Sequence, residues 1–230
     1  MAQQLPLSLQ LYFELSFEEF IAGNNAGLCA RLQQSLIKKD ERFYFIWGAS
    51  GSGKTHLLQA CCQYLSKNNE SASYIPLRQL KQESADLLQG LEHLSLVCID
   101  DIDLIAGDVA WEEAIFHLYN RIRDTQCLLI VTGQTAVHQL AIQLKDLRSR
   151  LSWGLVYQVH ELTDEQKLRV LSKRAQGLGL NLSDVVAQFI LTRCSRNMKQ
   201  LDSILNQLDR ASLSAQRKLT IPFVKSVLAV

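Results

Sequence analysis

Apolar positions along this chain come in short continuous runs separated by stretches of helical period. Phe43-Tyr44-Phe45-Ile46-Trp47, Ser73-Tyr74-Ile75-Pro76-Leu77, Leu94-Ser95-Leu96-Val97-Cys98-Ile99 and Cys127-Leu128-Leu129-Ile130-Val131 have the length and apolar content of buried strands. A last strand is expected near Val156-Tyr157-Gln158-Val159. Strands that alternate with helices predict an α/β unit, a parallel sheet covered by helices on both faces. From Leu162 onward the strand signal stops. Thr163-Asp164-Glu165-Gln166 opens a helix with a capping-type start, Ser183-Asp184 can cap a second, and Asn197 a third running through Leu201, Ile204, Leu205 and Leu208. Thr220, with Pro222 in the first turn, starts a fourth. The pattern predicts an α/β domain over residues 11–160, a small all-α domain over 161–230, and a separate segment over 1–10.

Composition narrows the class. A chain of 230 residues, 47% of them hydrophobic, can fill both cores. There is no run of eighteen apolar residues, and Met1-Ala2-Gln3-Gln4-Leu5-Pro6 lacks the basic and apolar regions of a signal peptide, so no membrane association and a cytoplasmic location are expected. The six cysteines form no C-x-x-C pair and read as small buried hydrophobes in a reducing compartment. The five histidines show no zinc-binding spacing. Net charge is +1, divided between 13 basic and 17 acidic residues in 1–160 and 11 against 6 in 161–230. A solvated helical surface accounts for that basic excess better than a nucleic-acid footprint, because no aromatic residues interleave it.

The strongest chemical signal lies between the first strand and the helix that follows it. Gly48-Ala49-Ser50-Gly51-Ser52-Gly53-Lys54-Thr55 is a complete G-x-x-x-x-G-K-[ST] phosphate loop in its strand–loop–helix setting. Its glycines let backbone N–H groups curl around a β-phosphate, Lys54 reaches the outer phosphates, and Thr55 can ligate Mg²⁺. Gly48, Ser50, Gly51, Ser52, Gly53, Lys54 and Thr55 are therefore assigned to ATP or ADP. The strand Leu96 to Ile99 ends in two carboxylates, where such a site needs an acidic element: Asp100 for the Mg²⁺ shell and Asp101 to orient the attacking water. Asp is a methylene shorter than the Glu often found in this role, which predicts slow intrinsic hydrolysis. Thr132 and Gln134 close the fourth strand, as nucleotide sensors or as a plain turn. Arg148 and Arg150 precede Trp153 and Gly154, and residue chemistry alone favours their pairing with carboxylates such as Asp146 over a catalytic finger. Near the start, Gln4-Leu5-Pro6-Leu7-Ser8-Leu9 alternates apolar positions around a proline, which suits either an extended docking peptide or a strand on the chain's own body.

Taken together, these motifs resemble the bacterial initiator-like AAA+ ATPases, the DnaA family, in a short form. The residues carrying the resemblance are the phosphate loop, Ile99-Asp100-Asp101-Ile102, Ser149-Arg150-Leu151-Ser152-Trp153-Gly154, Phe17 to Asn24, and Gln207 to Ser212 with Ala215 to Lys225. It implies a P-loop AAA+ sheet with a helical lid, and it shifts Arg150 to an arginine finger acting in trans on ATP held by the initiator DnaA. Gln4, Leu5, Leu7 and Leu9 become a peptide for the hydrophobic pocket of the DNA polymerase sliding clamp, its β subunit. Lys199 occupies the second sensor position, where Arg is usual, and Gln134 stands where initiators more often carry an acid. The implied working ligand is ADP, with weak or no intrinsic turnover. No residues beyond the lid remain for a helix-turn-helix, so sequence-specific DNA binding is not expected. A homodimer is allowed but not specified. The implied function is negative regulation of replication initiation. The competing expectations are a self-hydrolysing motor or helicase loader using Asp101, and a passive clamp adaptor.

Overall fold

The computed structural model describes residues 15–229. In chain order the elements are α1 (Ala26–Lys38), β1 (Phe43–Trp47), α2 (Lys54–Lys67), β2 (Ala72–Pro76), the single turn α3 (Leu77–Leu80), β3 (Leu96–Asp100), α4 (Val109–Arg123), β4 (Leu128–Gly133), α5 (Lys145–Leu151) and β5 (Leu155–Gln158). All strand pairs are parallel, in the order β2-β3-β4-β1-β5.

The two-residue period of each strand divides the apolar runs between the two faces. Phe43, Phe45, Val97, Ile99, Leu129 and Val131 pack against α4 and α5 through Ile115, Leu118, Leu147 and Leu151. Tyr44, Ile46, Leu96, Cys98, Leu128 and Ile130 face α1 and α2 through Leu32, Leu57, Leu58 and Cys61. Covering both faces is what makes these runs continuously apolar. β3 opens at Leu96 rather than Leu94, because Leu91–His93 forms a 3-10 turn ahead of it.

After β5 come four helices with a core of their own: α6 (Asp164–Gly177), α7 (Asp184–Arg193), α8 (Met198–Ala215) and α9 (Ile221–Leu228). Leu171, Ile190, Leu201, Leu205, Leu208 and Val224 fill it. Thr163 and Gln166 make a reciprocal capping box, and Asn197 and Thr220 cap α8 and α9. Ser183 occupies the predicted cap position of α7 but makes no side-chain cap hydrogen bond. All six cysteines are free, with Cys61, Cys98 and Cys127 buried. Among the described residues no helix is long and apolar enough to cross a membrane.

Candidate functional site

The carboxyl ends of β1, β3 and β4 meet beneath the lid, and the chemistry-bearing residues collect there, as expected for a parallel sheet. The loop from Gly48 connects β1 to the first residue of α2, Lys54. Gly51 and Gly53 hold φ of +86° and +105°, left-handed values that keep the loop tight. A Cβ on Gly53 would also meet the Phe20 ring at 2.8 Å. Lys54 is 5% exposed, and its Nζ donates to the carbonyls of Gly48 at 2.7 Å and Ala49 at 3.0 Å. Burial pulls its ammonium below the ordinary lysine range, against the opposing pull of Asp101, Asp100 and Asp103.

Asp100 is the hub of the site. Its Oδ2 accepts from the hydroxyls of Thr55 at 2.7 Å and Tyr74 at 2.8 Å, and its Oδ1 accepts a short bond from Thr132. Burial first, and then the charge of Asp100, push the Tyr74 phenol well above its usual range, so it stays a donor. Thr132 is fully buried and also accepts from the Asp101 N–H at 3.1 Å. Its hydroxyl thus orients the acidic pair. Asp101 holds φ of +62°, an uncommon conformation for a residue with a side chain, and its carboxylate takes Nη2 and Nε of Arg78 at 3.1 and 3.3 Å. Thr55 and Asp100 present adjacent hard oxygen atoms, a donor set that fits Mg²⁺ completed by phosphate oxygens and water.

A cavity of about 520 Å³ opens between this edge and the lid, a size suited to a nucleotide. Ser50, Gly51, Ser52, Gly53, Lys54 and Thr55 line it from the loop, Asp100, Asp101 and Gln134 from the strand ends, and Met198, Lys199 and Leu205 from α8. Ile21, Leu162 and Val170 add apolar wall for a flat base. Gly48 contributes the carbonyl that holds Lys54. The N–H of Gln134 donates to Asp103 at 2.7 Å. Tyr74 and Arg78 escaped the sequence reading because each reaches its partner only through the pairing of β2 with β3.

Arg150 lies away from this cavity, at the last turn of α5. Its guanidinium carbon sits 4.6 Å from the Trp153 ring centroid and 5.7 Å from that of Tyr119. Trp153 is 68% exposed. Among the described residues Arg150 has no ion-pair partner, Asp146 included, so the surface-pair expectation does not hold. Gln4, Leu5, Leu7 and Leu9, with the whole expected docking peptide, fall outside the described residues.

Two family models match the chain: that for the bacterial DnaA ATPase domain over residues 11–158 and that for the Hda lid domain over 164–228. Among solved structures, domain III of the Thermotoga maritima replication initiation protein DnaA is 19% identical, with a TM-score of 0.81, covering 94% of this chain and 96% of that one. DnaA from Aquifex aeolicus bound to AMPPCP is 20% identical with a TM-score of 0.71, over 87% of this chain and 67% of that one. The Thermotoga maritima RuvB branch migration motor gives 18% and 0.71, over 96% and 73%. At these identities the solved structures establish the AAA+ fold, and the family models establish the kinship.

Proposed function

The chain belongs to the Hda/DnaA family of AAA+ ATPases, and from that premise we propose that it is an ADP-bound negative regulator of replication initiation, acting in the cytoplasm on the initiator DnaA. Docked on the DNA-loaded sliding clamp through Gln4, Leu5, Leu7 and Leu9, it presents Arg150 to ATP held by the initiator and hastens its hydrolysis. The observation that supports this reading is the state of Arg150: unpaired among the described residues, backed by two aromatic rings and remote from the chain's own cavity. A permanently charged fork without a carboxylate of its own is free to stabilise charge that develops on another molecule's phosphate. The loop N–H groups, Lys54 and Lys199 would hold a nucleotide's phosphates in the cavity, and Thr55 and Asp100 would hold Mg²⁺, which would neutralise phosphate charge. Asp101 orients water poorly for hydrolysis in cis while Arg78 engages its carboxylate.

The test mixes the chain and ADP with initiator preloaded with labelled ATP and with clamp on DNA. Faster formation of labelled ADP is expected from the native chain, falling by about 10³-fold or to the unstimulated rate with Arg150→Ala. A chain lacking residues 1–9 should lose the clamp-dependent part alone. No acceleration by folded, ADP-loaded native chain would reject the regulator in favour of the motor, which predicts turnover abolished by Asp101→Asn, or of the passive adaptor, which is indifferent to both changes.

A further inference from the structure

One side chain closes the seam between the phosphate loop and the lid. Asn197 is the N-cap of α8, and its Oδ1 accepts from the N–H groups of Lys199 at 3.0 Å and Gln200 at 3.4 Å. Its Nδ2 donates at 2.8 Å to the carbonyl of Ser50 in the phosphate loop, 147 residues away along the chain. The two contacts fix the amide in one orientation, because the cap needs its oxygen and the Ser50 carbonyl needs its N–H. The loop is shaped to this contact as well: a Cβ on Gly51 would meet Asn197 Oδ1 at 3.0 Å. Capping requires only a side-chain oxygen, which Ser or Asp supplies equally well, so the second bond is not explained by the cap.

We propose that Asn197 is a positioning residue that ties the phosphate loop to the lid, setting the first turn of α8, and with it Lys199, at a fixed distance from the phosphates. The inference rests on the nucleotide reading of the cavity. Seating of a diphosphate in the loop is transmitted to the lid through the Ser50 carbonyl, and the order of α8 reports that the cavity is filled. The amide's two heads do separate work, which makes them separable by substitution.

The full-length chain is compared with Asn197→Ser, which keeps a neutral cap acceptor but is too short to reach Ser50 as well, and with Asn197→Ala, which removes both bonds. Affinity for labelled ADP, hydrogen exchange at residues 198–201 with and without ADP, and melting without nucleotide are measured. Without ADP the serine variant should melt only slightly below the native chain, by the loss of the one bond to Ser50, bind ADP about tenfold more weakly, and lose the ADP-dependent protection of residues 198–201. The alanine variant should show the same defects and also melt lower. Native ADP affinity and native protection in the serine variant would overturn the proposal. So would a serine variant that binds ADP more weakly yet keeps the native ADP-dependent protection of residues 198–201, since the lid would then respond to the diphosphate without the Ser50 bond. A native chain that binds neither ADP nor ATP would overturn the nucleotide reading itself, a result distinct from either of these.

Discussion

Asp100 carries more of the nucleotide site than its place in a motif suggests. A carboxylate only 4% exposed is tolerable because three hydroxyls, from Thr55, Tyr74 and Thr132, converge on it. Thr132 is the most constrained of the three, since it also accepts the Asp101 N–H and so holds that residue in its left-handed conformation. Thr132→Val keeps the shape and removes both bonds. It should cost about 1–3 kcal/mol in urea unfolding and weaken Mg²⁺-dependent nucleotide binding more than Mg²⁺-free binding, as followed by titration with labelled ADP. Equal weakening in both conditions would place the effect in packing alone. The phosphate loop, Asp100 and Asp101 were legible in the sequence because their spacing is local and their chemistry fixes residue types. Tyr74 and Arg78 were not, for their partners lie 26 and 23 residues away and meet them only through strand register. The sequence left Thr132 open between a sensor and a plain turn, and its hydroxyl turns to the acidic pair, a choice set by the neighbouring strand.

At the scale of elements, what matters is how α5 is held, because it carries Arg150. Glu112, in the first turn of α4, is 1% exposed and accepts backbone N–H bonds from Gly107 at 2.7 Å, Gln143 at 3.0 Å and Leu144 at 2.7 Å. One buried carboxylate thus staples both the loop after Asp101 and the residues leading into α5 onto the same helix. Glu112→Gln replaces an acceptor oxygen with an NH₂ that faces those donors. The variant should lose about 2–3 kcal/mol in thermal or urea unfolding. It should reduce stimulation of the initiator's hydrolysis more than it reduces ADP affinity, since α5 moves while the phosphate loop does not. Loss of ADP affinity in step with stimulation would count against this division. Nothing in the sequence marks Glu112 as different from the exposed Glu113 beside it. The five strands and four lid helices were readable from periodicity and caps, whereas buried polar staples follow neither period, and they decide how the elements are joined.

In the whole molecule the nucleotide cavity lies between two separately packed cores, so its shape depends on the seam between them. His56 of α2 sits in that seam: its Nε2 donates to the Ser16 carbonyl at 2.9 Å, and its ring meets Phe20 edge-on at 5.2 Å. Burial, more than any other cause, pushes its pKa below the ordinary value of 6.5; Arg174 and Lys173 from α6 add to the fall, and the Ser16 carbonyl and Glu19 oppose it. Between the lowered folded value and 6.5 the unfolded chain binds a proton that the folded chain refuses, so stability is full above 6.5 and falls as pH drops through it. The carboxylates of Asp40, Glu70 and Glu92, whose pKa values are lowered from 3.8 or 4.5, titrate below this window and do not mimic the effect. His56→Gln retains an N–H for Ser16 and cannot titrate. Melting followed from pH 7.5 to 5.5 should therefore show a decline for the native chain and a flatter line for the variant. Hydrogen exchange should place the acid-induced opening at residues 15–20 and α6, where the seam lies, before the sheet. Parallel declines in the two proteins would remove His56 from the account, and opening that begins in the sheet would place the weak joint elsewhere.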